Sequence, residues 1–191
     1  MSDNLSAAVF CGSTMGNKEI YREKAVALGE AMNRRDISLV YGGGNRGLMG
    51  VLAHAVYDGG GQVTGVLPSA MNFDRVTDGT KATETIIVSG MHERKKTMYS
   101  LASGFIAMPG GIGTFEELCE IYTWRQLGYT KGNIALYNAG NYFAPFLEML
   151  DKAVEDGFLS GAVKDILIVT DDPDTLLDHL FSDRKEIPSK L

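Results

Sequence analysis

Residues 38–50 read Ser-Leu-Val-Tyr-Gly-Gly-Gly-Asn-Arg-Gly-Leu-Met-Gly. A short apolar run stops at three glycines, and from Leu48 to Val56 apolar residues return at helical spacing. That is the pattern of a buried strand, a tight turn and a helix. It recurs on both sides. Residues 7–10 run into Cys11-Gly12-Ser13, and a helix follows on which Tyr21, Ala25, Leu28 and Met32 share a face. Residues 104–108 run into Pro109-Gly110-Gly111-Ile112-Gly113, and residues 114–127 again have helical spacing. Further strands are expected at residues 62–67, stopped by Pro68, and at 85–88, 134–137 and 166–169. Further helices are expected at 91–102, 142–156 and 173–181, the last opened by Pro173, whose missing N–H costs nothing in a first turn. Residues 71–81 have no period and read as a loop. Strand and helix alternate, and the strands lack polar alternation, as in sheets covered on both faces. The expected fold is α/β: one domain over residues 1–191, a doubly wound, Rossmann-like parallel sheet flanked by helices.

Composition narrows the function. The chain has 191 residues and a net charge of −6, which argues against an extended nucleic acid as partner. A single mononucleotide needs only a local cation and stays open. Two cysteines, Cys11 and Cys119, exclude a disulfide framework and a multi-cysteine zinc site. No residue cluster has metal-ligand spacing, and neither a metal nor a cofactor is expected. No apolar run approaches a membrane span, and the first ten residues lack the pattern of a signal peptide, so a cytoplasmic protein is expected.

The 23 glycines cluster after the strands, where an open α/β sheet binds its ligands. Such turns bring backbone close to a ligand and offer helix N–H groups to an anion. They nominate Gly12 and Ser13 on the first turn, Gly43 and Gly44 on the second, and Gly110, Gly111, Ile112, Gly113 and Thr114 on the third. Residues 42–47 fit the dinucleotide pattern G-x-G-x-x-G, but the next strand ends Val66-Leu67-Pro68-Ser69, without the acid that holds a ribose. Tight strand–helix packing explains the same glycines. No G-K-[ST] tripeptide occurs, which excludes a Walker-type ATPase.

In the third turn Thr114 and Glu117 have capping-box spacing. Glu117 also shares a stripe with Ile121 and Trp124, whereas Glu116 lies with Glu120 and Thr123 on the polar side. On the preceding helix Met91, Arg94, Met98 and Leu101 form an apolar stripe that includes the arginine. A buried cation and a buried carboxylate each need a partner or a task. Both helices follow strands, so both N-termini should open on one sheet edge.

The run Met91-His92-Glu93-Arg94-Lys95, followed by Pro109-Gly110-Gly111-Ile112-Gly113-Thr114-Phe115-Glu116-Glu117, resembles the LONELY GUY family. Those are cytokinin riboside 5′-monophosphate phosphoribohydrolases. The likeness extends through Thr123-Trp124, Gln126-Leu127-Gly128, Phe10-Cys11-Gly12-Ser13 and Tyr41-Gly42-Gly43-Gly44. It implies cleavage of the N-glycosidic bond of an N6-modified AMP or of AMP itself. It implies catalysis by Arg94 and Glu117, and phosphate and ribose contacts from Lys95, Gly111, Gly113, Thr114 and Glu116, with Thr123 nearby and Met91 heading the helix. It also implies a homodimer. Apolar residues on two faces of the 114–127 helix point the same way: Phe115, Leu118 and Tyr122 on one, Ile121 and Trp124 on the other. The 71–85 segment, with Asp74, Arg75 and Val76, departs from the plant members, which leaves the choice of base open. The family has also carried a lysine decarboxylase label, for which no pyridoxal site is identifiable.

Glu117 is the expected stabiliser of an oxocarbenium-like sugar. Arg94 cannot give up its proton, so its part is to hold phosphate or ribose or to orient Glu117. The acid that protonates the leaving base is not identified; His92 qualifies only by position. Ser13, Asn45 and Arg46 either line the site or are plain turn residues. His54 and His179 read as structural or exposed, and Cys119 as a small core residue. The alternative class is a non-catalytic carrier of a nucleotide or of molybdenum cofactor on the same fold.

Overall fold

The computed structural model describes residues 5–71 and 79–182. Seven parallel strands form one sheet: β1 (Ser6–Phe10), β2 (Ser38–Tyr41), β3 (Val63–Pro68), β4 (Glu84–Val88), β5 (Gly104–Ala107), β6 (Asn133–Tyr137) and β7 (Leu167–Thr170). Their order is β4-β3-β2-β1-β5-β6-β7. The chain winds outward from β1 to one edge, crosses back, and winds outward again from β5. The switch point therefore lies between β1 and β5, paired in register from Ala7 with Gly104 to Phe10 with Ala107. The connecting helices are α1 (Glu19–Arg34), α2 (Gly47–Asp58), α3 (Met91–Leu101), α4 (Ile112–Gln126), α5 (Ala144–Glu155), the short α6 (Gly161–Lys164) and α7 (Pro173–Leu180). No helix among the described residues is long and apolar enough to cross a membrane.

Alternate residues of each central strand serve two cores. Ala7, Val9, Leu39 and Tyr41 face α1, α2 and α7. Ala8, Phe10, Val40, Phe105 and Ala107 face α3, α4 and α5. This double coverage removed polar alternation from the central strands. Edge strand β4 departs from it: Glu84, Thr85 and Ile87 are exposed, because only one side of the sheet continues past it. Pro68 does not stop β3 but closes it, opposite Val88. Proline lacks a donor, yet its fixed φ fits a last extended residue. Helix α6 escaped notice because four residues carry no period; Ser160 caps it by accepting from the Val163 amide at 3.3 Å.

Candidate active site

The first two turns pack against each other. Leu48 and Met49, at the start of α2, donate their amides to the Gly12 carbonyl at 3.0 and 3.3 Å. Gly47 has φ +62°, and a Cβ there would lie 2.3 Å from the Ser13 carbonyl carbon. Gly12 in turn donates to Pro109 at 3.0 Å. The α2 amides that a dinucleotide phosphate would need are thus spent inside the protein. Gly42, Gly43 and Gly47 are held by packing. Gly43, buried with φ +75°, turns the chain against Leu67.

The third turn is built differently. Helix α4 begins at Ile112 with Gly111 as its N-cap, and no side chain caps it. The capping box is therefore absent: Thr114 and Glu117 already lie inside the helix, and both are buried. A Cβ on Gly110 would come within 2.1 Å of Thr114 Oγ1, so the turn closes onto the threonine only with glycine there. Among the described residues nothing accepts from the amides of Ile112, Gly113 and Thr114. These are the orphan donors of a helix N-terminus, and they suit an anion.

Helices α3 and α4 each follow a strand and open on the same sheet edge. Arg94 and Glu117, both buried, meet there, with Arg94 Nη1 donating to Glu117 Oε1 at 2.7 Å. Arg94 Nε donates to the Val66 carbonyl at 3.1 Å, which anchors the guanidinium to the end of β3. Its Nη2 lies against Gly42, where a Cβ would come within 2.0 Å. Burial pushes the Glu117 carboxyl above its ordinary range; Arg94 opposes this, Glu116 adds to it, and Lys95 opposes it. The Cys11 thiol faces the same cavity, and burial, aided by the Glu117 charge, pushes it strongly upward. It stays a protonated thiol and no nucleophile.

The pair lines a cavity of about 260 Å³ with Ser13, Met91, Gly111, Ile112, Gly113, Thr114 and Glu116. A second cavity of about 320 Å³ shares Ser13, Gly42, Met49, Met91 and Arg94 with it and extends past Gly44, Asn45, Arg46, Leu67 and Met71. A third, about 550 Å³, lies across Gly110 and Gly111 beside Tyr21 and Tyr142, and among the described residues no carboxylate or cation lines it. The buried cation and carboxylate therefore line the smaller cavities.

Lys95 and Thr123 are elsewhere. The buried Lys95 ammonium is paired with Glu116 and, at 3.0 Å, with Glu120, and does not line these cavities. Thr123 is exposed three turns along α4, donating to the Cys119 carbonyl at 2.8 Å. Cys119 is exposed and not a core residue, because it falls on the polar side of α4 beside Thr123 and Glu116. His92 is exposed and lines none of the three cavities. Asp74, Arg75 and Val76 lie outside the described residues. Sequence reasoning passed over Cys11, Met49 and Met98 as lining residues, and the ties of Tyr99 and Glu120. Their spacing, Lys95 to Tyr99 and Glu116 to Glu120, was the available signal.

The model of a family described as possible lysine decarboxylase matches residues 49–180. The rice cytokinin riboside 5′-monophosphate phosphoribohydrolase LOG is 48% identical over 160 residues, 84% of this chain and 66% of its own length. The Arabidopsis thaliana phosphoribohydrolase LOG2 is 44% identical over 172 residues, 90% of this chain and 80% of its own. The chain belongs to the LOG family. Its fold is shared more widely. The molybdenum cofactor carrier protein of Chlamydomonas reinhardtii superposes with a TM-score of 0.67 at 17% identity, over 94% of this chain and 99% of that one. A molybdenum cofactor binding protein of Rippkaea orientalis superposes with 0.67 at 16% identity, over 93% and 96%. For a LOG family member these two carry the architecture alone.

Proposed function

We propose that this protein hydrolyses the N-glycosidic bond of a nucleoside 5′-monophosphate, AMP or an N6-modified AMP, releasing the free base and ribose 5-phosphate. The observation that carries this is the buried Arg94–Glu117 pair in one cavity with the uncapped start of α4. The names of the relatives, phosphoribohydrolases of cytokinin riboside monophosphates, support it. The phosphate sits on the amides of Ile112, Gly113 and Thr114. That places the sugar toward Glu117. As the bond to the base stretches, positive charge grows at C1′, and the fixed, buried Glu117 carboxylate stabilises it. Water supplies hydroxide to C1′ and gives its proton to Glu117; the base leaves with the electron pair of the C1′–N bond, and that one proton passes on from Glu117 to the base, which restores the carboxylate. A carboxyl raised by burial suits that acceptance. Arg94 stays charged, orients Glu117 and balances it.

The carrier alternative has the distant fold likeness in its favour. Holding an anion gives no reason to bury a carboxylate beside its cradle, so hydrolysis is the better reading. The test is to incubate the protein with AMP and with isopentenyladenosine monophosphate and to follow free base by chromatography. Release from either is expected. Release from neither, with the nucleotide bound, establishes the carrier.

A further inference from the structure

Arg94 and Glu117 stand on different helices, so their separation depends on how α3 and α4 are held. The hydrophobic driving force on the sheet is non-directional, and packing alone leaves small rotations and slides open. Polar contacts between the helices do. Lys95, the residue after Arg94, reaches both Glu116 and Glu120 with its ammonium. Glu116, the residue before Glu117, lines the catalytic cavity. One turn further on, Tyr99 donates its hydroxyl to Glu120 Oε2 at 2.8 Å, the oxygen that Lys95 meets at 3.0 Å. The same hydroxyl lies 3.4 Å from the Glu117 backbone carbonyl. The Tyr99 ring is wedged edge-on against Phe10, Phe105 and Trp124. An almost fully covered ammonium is tolerable only with partners of this kind. Burial acts to lower the Lys95 ammonium, yet its hydrogen bonds to Glu116 and Glu120 outweigh it, and the net shift is upward.

We infer that Lys95, Glu120 and Tyr99 form a clasp between α3 and α4, and that Tyr99 and Glu120 are positioning residues for Arg94 and Glu117. The clasp acts one residue away from Arg94 and, through the Tyr99 hydroxyl, on the Glu117 backbone carbonyl; through Lys95 it also holds the Glu116 carboxylate at the cavity wall. It rests on the hydrolase reading for its catalytic consequence, but not for its geometry. Lys95 is thereby engaged by carboxylates, not by the glycine turn.

The test compares the unsubstituted protein with Tyr99→Phe, Glu120→Gln and the double variant. Tyr99→Phe keeps the wedged ring and removes only the hydroxyl. Two readouts are taken: kcat and KM for AMP or isopentenyladenosine monophosphate, and the exchange rate of the Arg94 Nε–H by nitrogen-15 NMR. Each single variant is expected to lower kcat about tenfold with KM within about twofold, and to speed Arg94 Nε–H exchange about tenfold. The double variant should lose less than the product of the two single losses, because both variants break the same Tyr99–Glu120 hydrogen bond. Unchanged Arg94 exchange in Tyr99→Phe overturns the clasp, whatever the rates do. So do additive losses, or a lower melting temperature with kcat unchanged. No base release by the unsubstituted protein overturns the hydrolase reading instead, and the NMR result then decides the clasp alone.

Discussion

Glu117 touches the reacting sugar in this mechanism, and its removal is the sharpest test at the scale of one residue. Glu117→Gln keeps the shape and still accepts from Arg94, but loses the charge. It should bind nucleotide and lose about two to three decades in kcat, the usual worth of such a preorganised group. A near-normal rate would reduce Glu117 to a structural partner of Arg94. The pH profile tests the same carboxylate. Burial and Glu116 raise it, Arg94 and Lys95 lower it, and Cys11 and Tyr99 stand near it as neutral groups. The net shift is upward and the active form is ionised. The rate should therefore fall with decreasing pH through a midpoint above the ordinary glutamate value of about 4.3. Lys95→Met removes a lowering charge and should move that midpoint to higher pH. A midpoint at or below the ordinary value sinks the assignment. Gly42 matters because it has no side chain. In Gly42→Ala a Cβ would lie 2.0 Å from Arg94 Nη2, so the guanidinium must leave the end of β3. At least tenfold loss of kcat is expected with the circular dichroism spectrum retained; an unchanged rate would show that Arg94 can relocate without cost.

Elements decide what the glycine turns do. Two turns look alike as sequence, yet α2 gives its first amides to the Gly12 carbonyl, while among the described residues nothing accepts from those of α4. The expected consequence is a requirement for the 5′-phosphate. Two or three charge-assisted hydrogen bonds and the helix dipole together justify a preference on the order of a hundredfold or more. Because remote binding energy holds C1′ against Glu117, kcat should fall as well as affinity when the phosphate is missing. Side-by-side kcat/KM values for AMP and adenosine, and for the isopentenyl pair, measure this. Equal values within a pair would mean that the α4 turn is no phosphate cradle.

At the scale of the whole molecule the two-faced α4 helix no longer argues for a dimer. Both faces are covered within the chain: Trp124 packs on Tyr99, and Phe115 on Tyr142, Phe143 and Phe146. What supports a homodimer is the family resemblance together with apolar residues left outside at both ends of α4. Ile112 is 84% exposed, Leu127 61% and Tyr129 76%. A homodimer that covers these residues is expected in light scattering at micromolar protein, and replacing Leu127 and Tyr129 by serine should weaken it. A monomer at every concentration would refute the proposal.

The fold was legible because its strands are buried on both faces and its helices on one. Burial of that kind writes itself into composition and period, and β1, α1, β2 and α2 could be read almost to their ends. Arg94 and Glu117 were legible for the same reason, as charges standing on apolar stripes. Their contact was not, since it joins two helices across 23 positions and depends on Gly42 and the Val66 carbonyl, which no local pattern connects to Arg94. Nor could sequence separate the two glycine turns. Whether a helix N-terminus is free or already bonded depends on which carbonyl the fold brings to it, and the Gly12 carbonyl reaches α2 only because β1 lies beside β2. The destination of Lys95 was decided in the same way. Its charge called for partners, and the packing of α3 against α4 supplied Glu116 and Glu120. Residue type and period report how deeply a group is buried; only the tertiary structure determines which group it meets there.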